Sequence, residues 1–225
     1  MHTSRPRILD LFCGAGGAAV GYHRAGFDVV GVDINPQPHY PFEFHRGDVT
    51  AFDFDALGRF DVVHASPPCQ SQTALTKGTN KGRQYVDLIP WSRDFIAAMN
   101  LPAVIENVQG SHLRRDLVLC GEMFKLDVIR HRYFELHGWV ASAPRHVPHR
   151  GRVAGWRHGV YFDGPYFAVY GDGGGKGTVA EWQQATGITW TGDRKSIAEA
   201  IPPAYTEYIG RQLLAHITAA RRLTS

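Results

Sequence analysis

Strand, glycine-rich turn, helix and strand follow one another in residues 6–33, and few folds begin that way. The run Pro6-Arg7-Ile8-Leu9-Asp10-Leu11-Phe12 reads as a first strand. Cys13-Gly14-Ala15-Gly16-Gly17 turns the chain, Ala18 to Ala25 reads as a helix, and Gly26 closes it. Phe27 to Asp33 is a second apolar run that ends in an acid. This order is the first half of a βαβ unit, which calls for a parallel sheet flanked by helices. Asp33 stands about 20 residues after the glycines, where a carboxylate accepts the ribose hydroxyls of a bound nucleoside. The glycines do not spell G-x-G-x-x-G. They suit an adenosine without a pyrophosphate, and so S-adenosylmethionine rather than NAD.

Three more runs extend the sheet. Phe42 to Thr50 predicts a third strand ending in Gly47-Asp48, whose carboxylate is suited to the adenine amine. Phe60 to Ala65 is a fourth strand, cut short by Pro67-Pro68. Cys69 is the first residue past that rigid corner. A thiol held at the carboxyl end of a strand is well placed as a nucleophile; an ordinary buried thiol is the competing reading. Ser71 to Tyr85 is polar and reads as a loop that closes over a substrate. A helix is expected around Leu88 to Met99, then a fifth strand, Leu101 to Val108, that carries Glu106. Ligands of open α/β sheets bind at the carboxyl ends of neighbouring strands, so Cys69 and Glu106 should meet there.

Ser111 to Lys125 reads as a helix, with Ser111 as N-cap and Leu117, Leu119 and Phe124 toward the core. Val128 to Leu136 reads as an alternating strand with Arg130 and Arg132 on one face, suited to a carboxylate, a phosphate or a base edge. From about His137 the chain turns basic and broken. Between Ala141 and Val160 it has four arginines (Arg145, Arg150, Arg152 and Arg157) and no acid. Trp156, Tyr161, Phe162 and Tyr166 interleave with them, a pattern suited to phosphates and stacked bases. The run Gly171 to Thr178 is not a P-loop, because Lys176 precedes Gly177 and Tyr170 stands at the first glycine position. His146-x-x-His149 has no cysteine nearby in the sequence, and no metal is expected. Ile197 to Ala219 returns to helical periodicity, with Tyr205, Ile209, Leu213 and Ile217 as an apolar stripe.

The chain has 225 residues, enough for one α/β domain with a small appendage. Its three cysteines, Cys13, Cys69 and Cys120, are scattered and odd in number. That argues against a disulfide framework or a zinc site and suggests a reducing, cytoplasmic setting. No secretory signal is visible, and no apolar run nears the ~20 residues that span a bilayer. The net charge of +3 permits a nucleic-acid partner without requiring one.

Taken together, these pieces resemble the cytosine-C5 DNA methyltransferases over nearly the whole chain. Asp10 to Gly17 looks like that family's first cofactor motif, Ser66-Pro67-Pro68-Cys69-Gln70 its catalytic motif, and Glu106-Asn107-Val108 its Glu-Asn-Val. Arg130-x-Arg132 looks like the end of its Gln-x-Arg-x-Arg motif, and Ile197 to Leu213 resembles the last motif. The resemblance implies a Rossmann-like α/β methyltransferase fold, a mixed, mostly parallel sheet with helices on both faces. Residues 1–136 plus 190–225 would form the catalytic domain and 137–189 a short target-recognition region.

It also implies roles. Cys69 would add to carbon 6 of a flipped-out cytosine, Glu106 would hold ring N3, and Arg132 the base oxygen with Arg130 in support. S-adenosylmethionine would be held by Phe12, Gly14, Ala15, Gly16 and Gly17 at the turn, and by Asp33, Ile34, Asp48 and Val49 at two strand ends. Pro67, Glu199 and Ala200 would complete that site. DNA contacts would come from Gln70, Lys77, Lys81 and Arg83, and from Arg145, Arg150, Arg152, Arg157 and Lys176. The implied partner is DNA and the default state a monomer, without a membrane; a cognate restriction endonuclease would be a separate chain.

There are departures. Val128 stands in place of the family's glutamine, and Ala198-Glu199 in place of its Gly-Asn. Glu199 leaves a modified cofactor analogue open, and the short recognition region suggests a short or relaxed target. Two other readings are the same chemistry on RNA, whose family signature is not seen here, and a DNA-binding protein without catalysis. Against the latter, Cys69 and Glu106 are both present.

Overall fold

The five apolar runs form five parallel strands: β1 (Arg7–Leu11), β2 (Asp28–Asp33), β3 (Glu43–Arg46), β4 (Val62–Ala65) and β5 (Ala103–Val108). Two more, β6 (Leu117–Leu119) and β7 (Arg132–His137), complete a sheet of order β3-β2-β1-β4-β5-β7-β6. Strand β7 is antiparallel to both neighbours. The computed structural model describes residues 4–68, 86–157, 159–170 and 177–224. The strand order reverses between β1 and β4, which opens a crevice at their carboxyl ends.

Alternation along the strands supplies a core on each face. Ile8, Val62, Val104 and Phe134 face helices α1 (Gly17–Ala25) and α5 (Pro203–Thr224). Leu9, Val63, Ile105 and Tyr133 face α2 (Ile89–Met99). The expected stripe Tyr205, Ile209, Leu213 and Ile217 is buried on the first of these faces. A third, smaller core joins Val128, Val169, Trp182 and Ile197, and holds α3 (Val179–Thr186) and α4 (Arg194–Glu199). A hairpin of β8 (Gly155–Arg157) and β9 (Val160–Phe162) stands apart from the main sheet.

Helices α1 and α5 approach closely because α1 presents glycines to its partner. A Cβ on Gly17 would overlap the Ile201 carbonyl, and one on Gly21 would overlap Thr206 Oγ1 and the Pro203 carbonyl. Thr206 Oγ1 in turn donates to the Ala18 carbonyl at 2.9 Å.

Three expectations are corrected. Residues 111–125 are not a helix: Leu117 and Leu119 lie in β6, and Gly121–Phe124 forms a single 3-10 turn. The period of two between those leucines is a strand signal. The arginine strand starts at Arg132, because Arg130 has a φ of 38°, outside the β region. The C-terminal helix is broken at Ala200, whose extended backbone and the following Pro202-Pro203 separate α4 from α5. Trp139, inside the segment expected to form the recognition region, packs in the first core and donates to the Ala103 carbonyl at 3.0 Å. Among the described residues, no helix is long and apolar enough to cross a membrane.

Candidate active site

The carboxyl ends of β4 and β5 lie side by side, with Ala65 in register with Ile105. Ser66 N–H donates to the Leu11 carbonyl at 3.1 Å, which ties the residue after β4 to β1. Asn107 Nδ2 donates to the Pro67 carbonyl at 2.9 Å, and Asn107 Oδ1 accepts from Val108 N–H at 2.9 Å. The proline corner is thus held from both neighbouring strands. Cys69, Gln70, Lys77, Lys81, Arg83 and the expected closing loop lie outside the described residues.

Glu106 is buried at the end of β5. Arg132 Nε stands 2.9 Å from Glu106 Oε1. The contact is an ion pair without the alignment of a hydrogen bond, so Oε1 keeps acceptor capacity. Burial pushes the Glu106 carboxyl up; Arg132, a Ser66 hydrogen bond and Arg130 offset this only in part.

Behind Ser66 lies a buried relay. Tyr22 Oη is 3.0 Å from His64 Nδ1, and His64 Nε2 is 2.9 Å from Ser66 Oγ. Burial pushes His64 down to about 3, so the imidazole is neutral and has a single N–H. With Tyr22 donating to Nδ1, Nε2–H donates to Ser66, and Ser66 is left to donate to Glu106. In the sequence His64 is merely one member of an apolar run. The available signal was a polar ring in the middle of a strand buried on both sides.

Arg130 and Arg132 do not act as a pair on one strand face. Arg132 is largely buried beside Glu106. Arg130 Nη2 donates to the Ala198 carbonyl at 2.6 Å and Nη1 to that of Val169 at 3.3 Å. It fastens the segment before β7 to α4 and to the third core.

On the other side of the crevice, Phe12 and Gly14 adopt left-handed backbone, with φ of 58° and 49°. Gly14 N–H donates to Asp33 Oδ2 at 3.0 Å and Asn35 N–H to Oδ1 at 2.8 Å. Ile34 is 58% exposed at the rim. Gly47 N–H donates to the Asp33 carbonyl at 2.9 Å, which brings Asp48 and Val49 to the same strand end. Asp48 is exposed and accepts from Thr50 N–H and Oγ1 through Oδ1, bonds that hold its carboxyl below the usual range. The Ala15 carbonyl accepts from Trp190 Nε1 at 2.7 Å. Gly17 is accounted for by packing: Ala200 and Ile201 lie where a side chain would go. Glu199 is exposed at the end of α4, just before that contact.

Of the arginines expected to meet DNA, Arg150 is held by its own chain. It pairs with Glu122 at 3.0 Å and Asp127 at 3.2 Å. Arg152 lies over the Phe162 ring at 4.8 Å, and Arg145 is exposed. The Arg157 side chain and Lys176 lie outside the described residues.

The model of the C-5 cytosine-specific DNA methylase family matches residues 6–116, the half of the chain that carries the glycine turn, the proline corner and Glu106. Type II methyltransferase M.AplI of Arthrospira platensis is 32% identical over 111 residues, 46% of this chain and 31% of that protein. Type II methyltransferase M1.HphI of Haemophilus parahaemolyticus is 35% identical over 94 residues, 35% of this chain and 24% of that one. The chain therefore spans less than a third of the length of either relative. In fold it is similar to the S. pombe Dnmt2 methyltransferase, with a TM-score of 0.62 at 16% identity, covering 95% of this chain and 99% of that one. Residues 6–116 thus carry the match to the C-5 cytosine-specific DNA methylase family, shared with the Type II methyltransferases, on a chain whose fold is similar to that of the S. pombe Dnmt2 methyltransferase.

Proposed function

We propose that the protein is a DNA cytosine-C5 methyltransferase that works through a covalent bond between Cys69 and carbon 6 of a flipped-out cytosine. The observation that supports this most is Glu106: buried, raised in pKa, paired with Arg132, and one strand from the proline corner. A carboxyl of that kind can share a proton with cytosine N3 and accept from the exocyclic amine.

The Cys69 thiolate forms the S–C6 bond. The displaced π pair makes C5 nucleophilic while Glu106 supplies a proton at N3. After methylation C5 loses its proton to a base, that pair restores the C5–C6 double bond, and the C6–S bond breaks to release the Cys69 thiolate. Glu106 then recovers its proton. Arg132 orients the carboxyl and would hold the base oxygen.

S-adenosylmethionine, when bound, supplies a sulfonium methyl as the electrophile. The crevice fits it. Each Asp33 oxygen has taken one hydrogen bond and keeps a lone pair for a ribose hydroxyl. Ile34 offers an exposed apolar face for a flat base. Asp48 keeps Oδ2 for an exocyclic amine.

The test is nucleoside mass spectrometry of unmethylated duplex DNA incubated with the protein and S-adenosylmethionine. The expected product is 5-methyldeoxycytidine, absent with Cys69→Ser. A heavier adduct in DNA from cells expressing the protein would point to a modified cofactor at Glu199. Methylated tRNA with unmodified DNA would move the reading to RNA. Salt-sensitive DNA binding with no modified nucleoside would overturn it.

A further inference from the structure

Four side chains able to ligate a metal meet away from the crevice. Cys120 follows β6, His131 precedes β7, and His146 and His149 lie in the basic segment beyond β7. One donor atom from each lies within 4.8 Å of all the others. Cys120 Sγ and His149 Nε2 are 3.3 Å apart, and so are His131 Nε2 and His146 Nε2. A tetrahedral ion with bonds of ~2.0–2.3 Å holds its ligand atoms roughly 3.3–3.8 Å from one another. The four donors are therefore already near the spacing that such an ion imposes.

Their setting agrees. The rings of His131 and His146 are stacked, with planes 7° apart, and His149 is tilted to both, so the three edges gather at one place. Cys120 is buried, which pushes its thiol up, and its sulfur accepts a backbone N–H of the 3-10 turn that follows, which offsets this in part. The thiol also faces the Ile129 carbonyl at 3.0 Å.

The sequence argument against zinc, that no cysteine is near His146-x-x-His149, does not hold in space. Cys120 is brought there by β6, and His131 by the left-handed residue Arg130 beside it.

We infer that Cys120, His131, His146 and His149 form a structural site for one divalent transition-metal ion, with Zn²⁺ the ion that this donor set selects. One thiolate and three imidazoles suit a borderline-soft cation. Four protein ligands close its coordination shell, which makes the site structural rather than hydrolytic. Binding releases the Cys120 thiol proton, so uptake weakens as pH falls. The ion fastens the basic segment to the residue that lies between Arg130 and Arg132. The recognition region and the arginine beside Glu106 are thereby joined.

The full chain, prepared without a histidine tag and stripped by a chelator, is titrated with Co²⁺. The expected result is one equivalent per chain, with the visible bands of tetrahedral cobalt and a near-ultraviolet sulfur-to-cobalt band. Cys120→Ser should lose the sulfur band. Removing two of four ligands with His146→Gln and His149→Gln should weaken binding by roughly 100-fold or more. Both histidines lie outside the buried core, so that variant keeps the fold even if Cys120→Ser does not. An octahedral spectrum, or unchanged affinity in the double-histidine variant, would overturn the site.

Discussion

A carboxylate at the end of a buried strand costs free energy unless something holds it. Glu106 is held from two directions, by Arg132 across the β5–β7 pair and by Ser66 from β4. Tyr22 and His64 fix the direction in which Ser66 points. The group is then neither a free acid nor a fully satisfied ion pair, the condition that proton sharing with a ring nitrogen needs. Glu106→Gln preserves size and hydrogen bonding but removes the exchangeable proton. Single-turnover methylation should slow by ~10²–10⁴, while S-adenosylmethionine binding, measured by calorimetry, stays within a few-fold. Loss of cofactor binding in that variant would mean that Glu106 supports the crevice rather than the base.

At the scale of elements, the α1–α5 contact has little room to give. Gly21→Ala inserts a methyl where Thr206 Oγ1 and the Pro203 carbonyl already stand. The helices must separate, at a cost of about 1–3 kcal/mol. The urea midpoint should fall with the slope unchanged. Much of this level was legible in the sequence. Strands β1 to β5 announce themselves as apolar runs, and the stripe on α5 as a period of four. Strand β6 was not, because a period of two carried by only three residues is a short signal beside the longer helical reading around it. Arg130 was misplaced because nothing in its neighbours foretells a positive φ. The glycines of the turn were legible as a nucleoside signal, and Gly17 also answers to helix packing.

Over the whole molecule, three buried groups with large shifts bear on how stability varies with pH. His64 titrates at 6.5 when unfolded and about 3 when folded. The unfolded chain therefore binds the extra proton, and stability falls as pH drops below 6.5. Burial pushes Asp10 from 3.8 to about 8. Here the folded chain holds the extra proton, and stability falls as pH rises through that window. For Glu135 burial pushes upward, but the bonds from Arg93 and Arg114 outweigh it and hold the carboxyl at about 2. Its contribution is lost as pH falls from 4.5 toward 2.

Between pH 4.5 and 6.5 the slopes of His64 and Asp10 oppose each other. Above 6.5 Asp10 acts without His64, at up to about 1.4 kcal/mol per pH unit. Urea midpoints should thus decline from pH 6.5 to 8, and Asp10→Asn, which can still accept from Tyr40, should flatten that decline. An unchanged slope would remove Asp10 from the account.

The shifts of these groups were not legible in the sequence, since burial is a property of the folded chain. The metal cluster is the same case. Its ligands are spread from residue 120 to residue 149 without a local motif, and only the turns around β6 and β7 assemble them.

The seam between α1 and α5 has a consequence for synthesis. Thr206 and Ala18, which it joins, are 188 residues apart. A ribosome delivers β1 and α1 first, and the helix that covers them long afterward. Until residues 203–217 emerge, the glycine face of α1 has no partner, and a loop of that length must still close. The nascent protein spends that interval with one side of its sheet bare, the state in which chaperones find clients and misassembly begins.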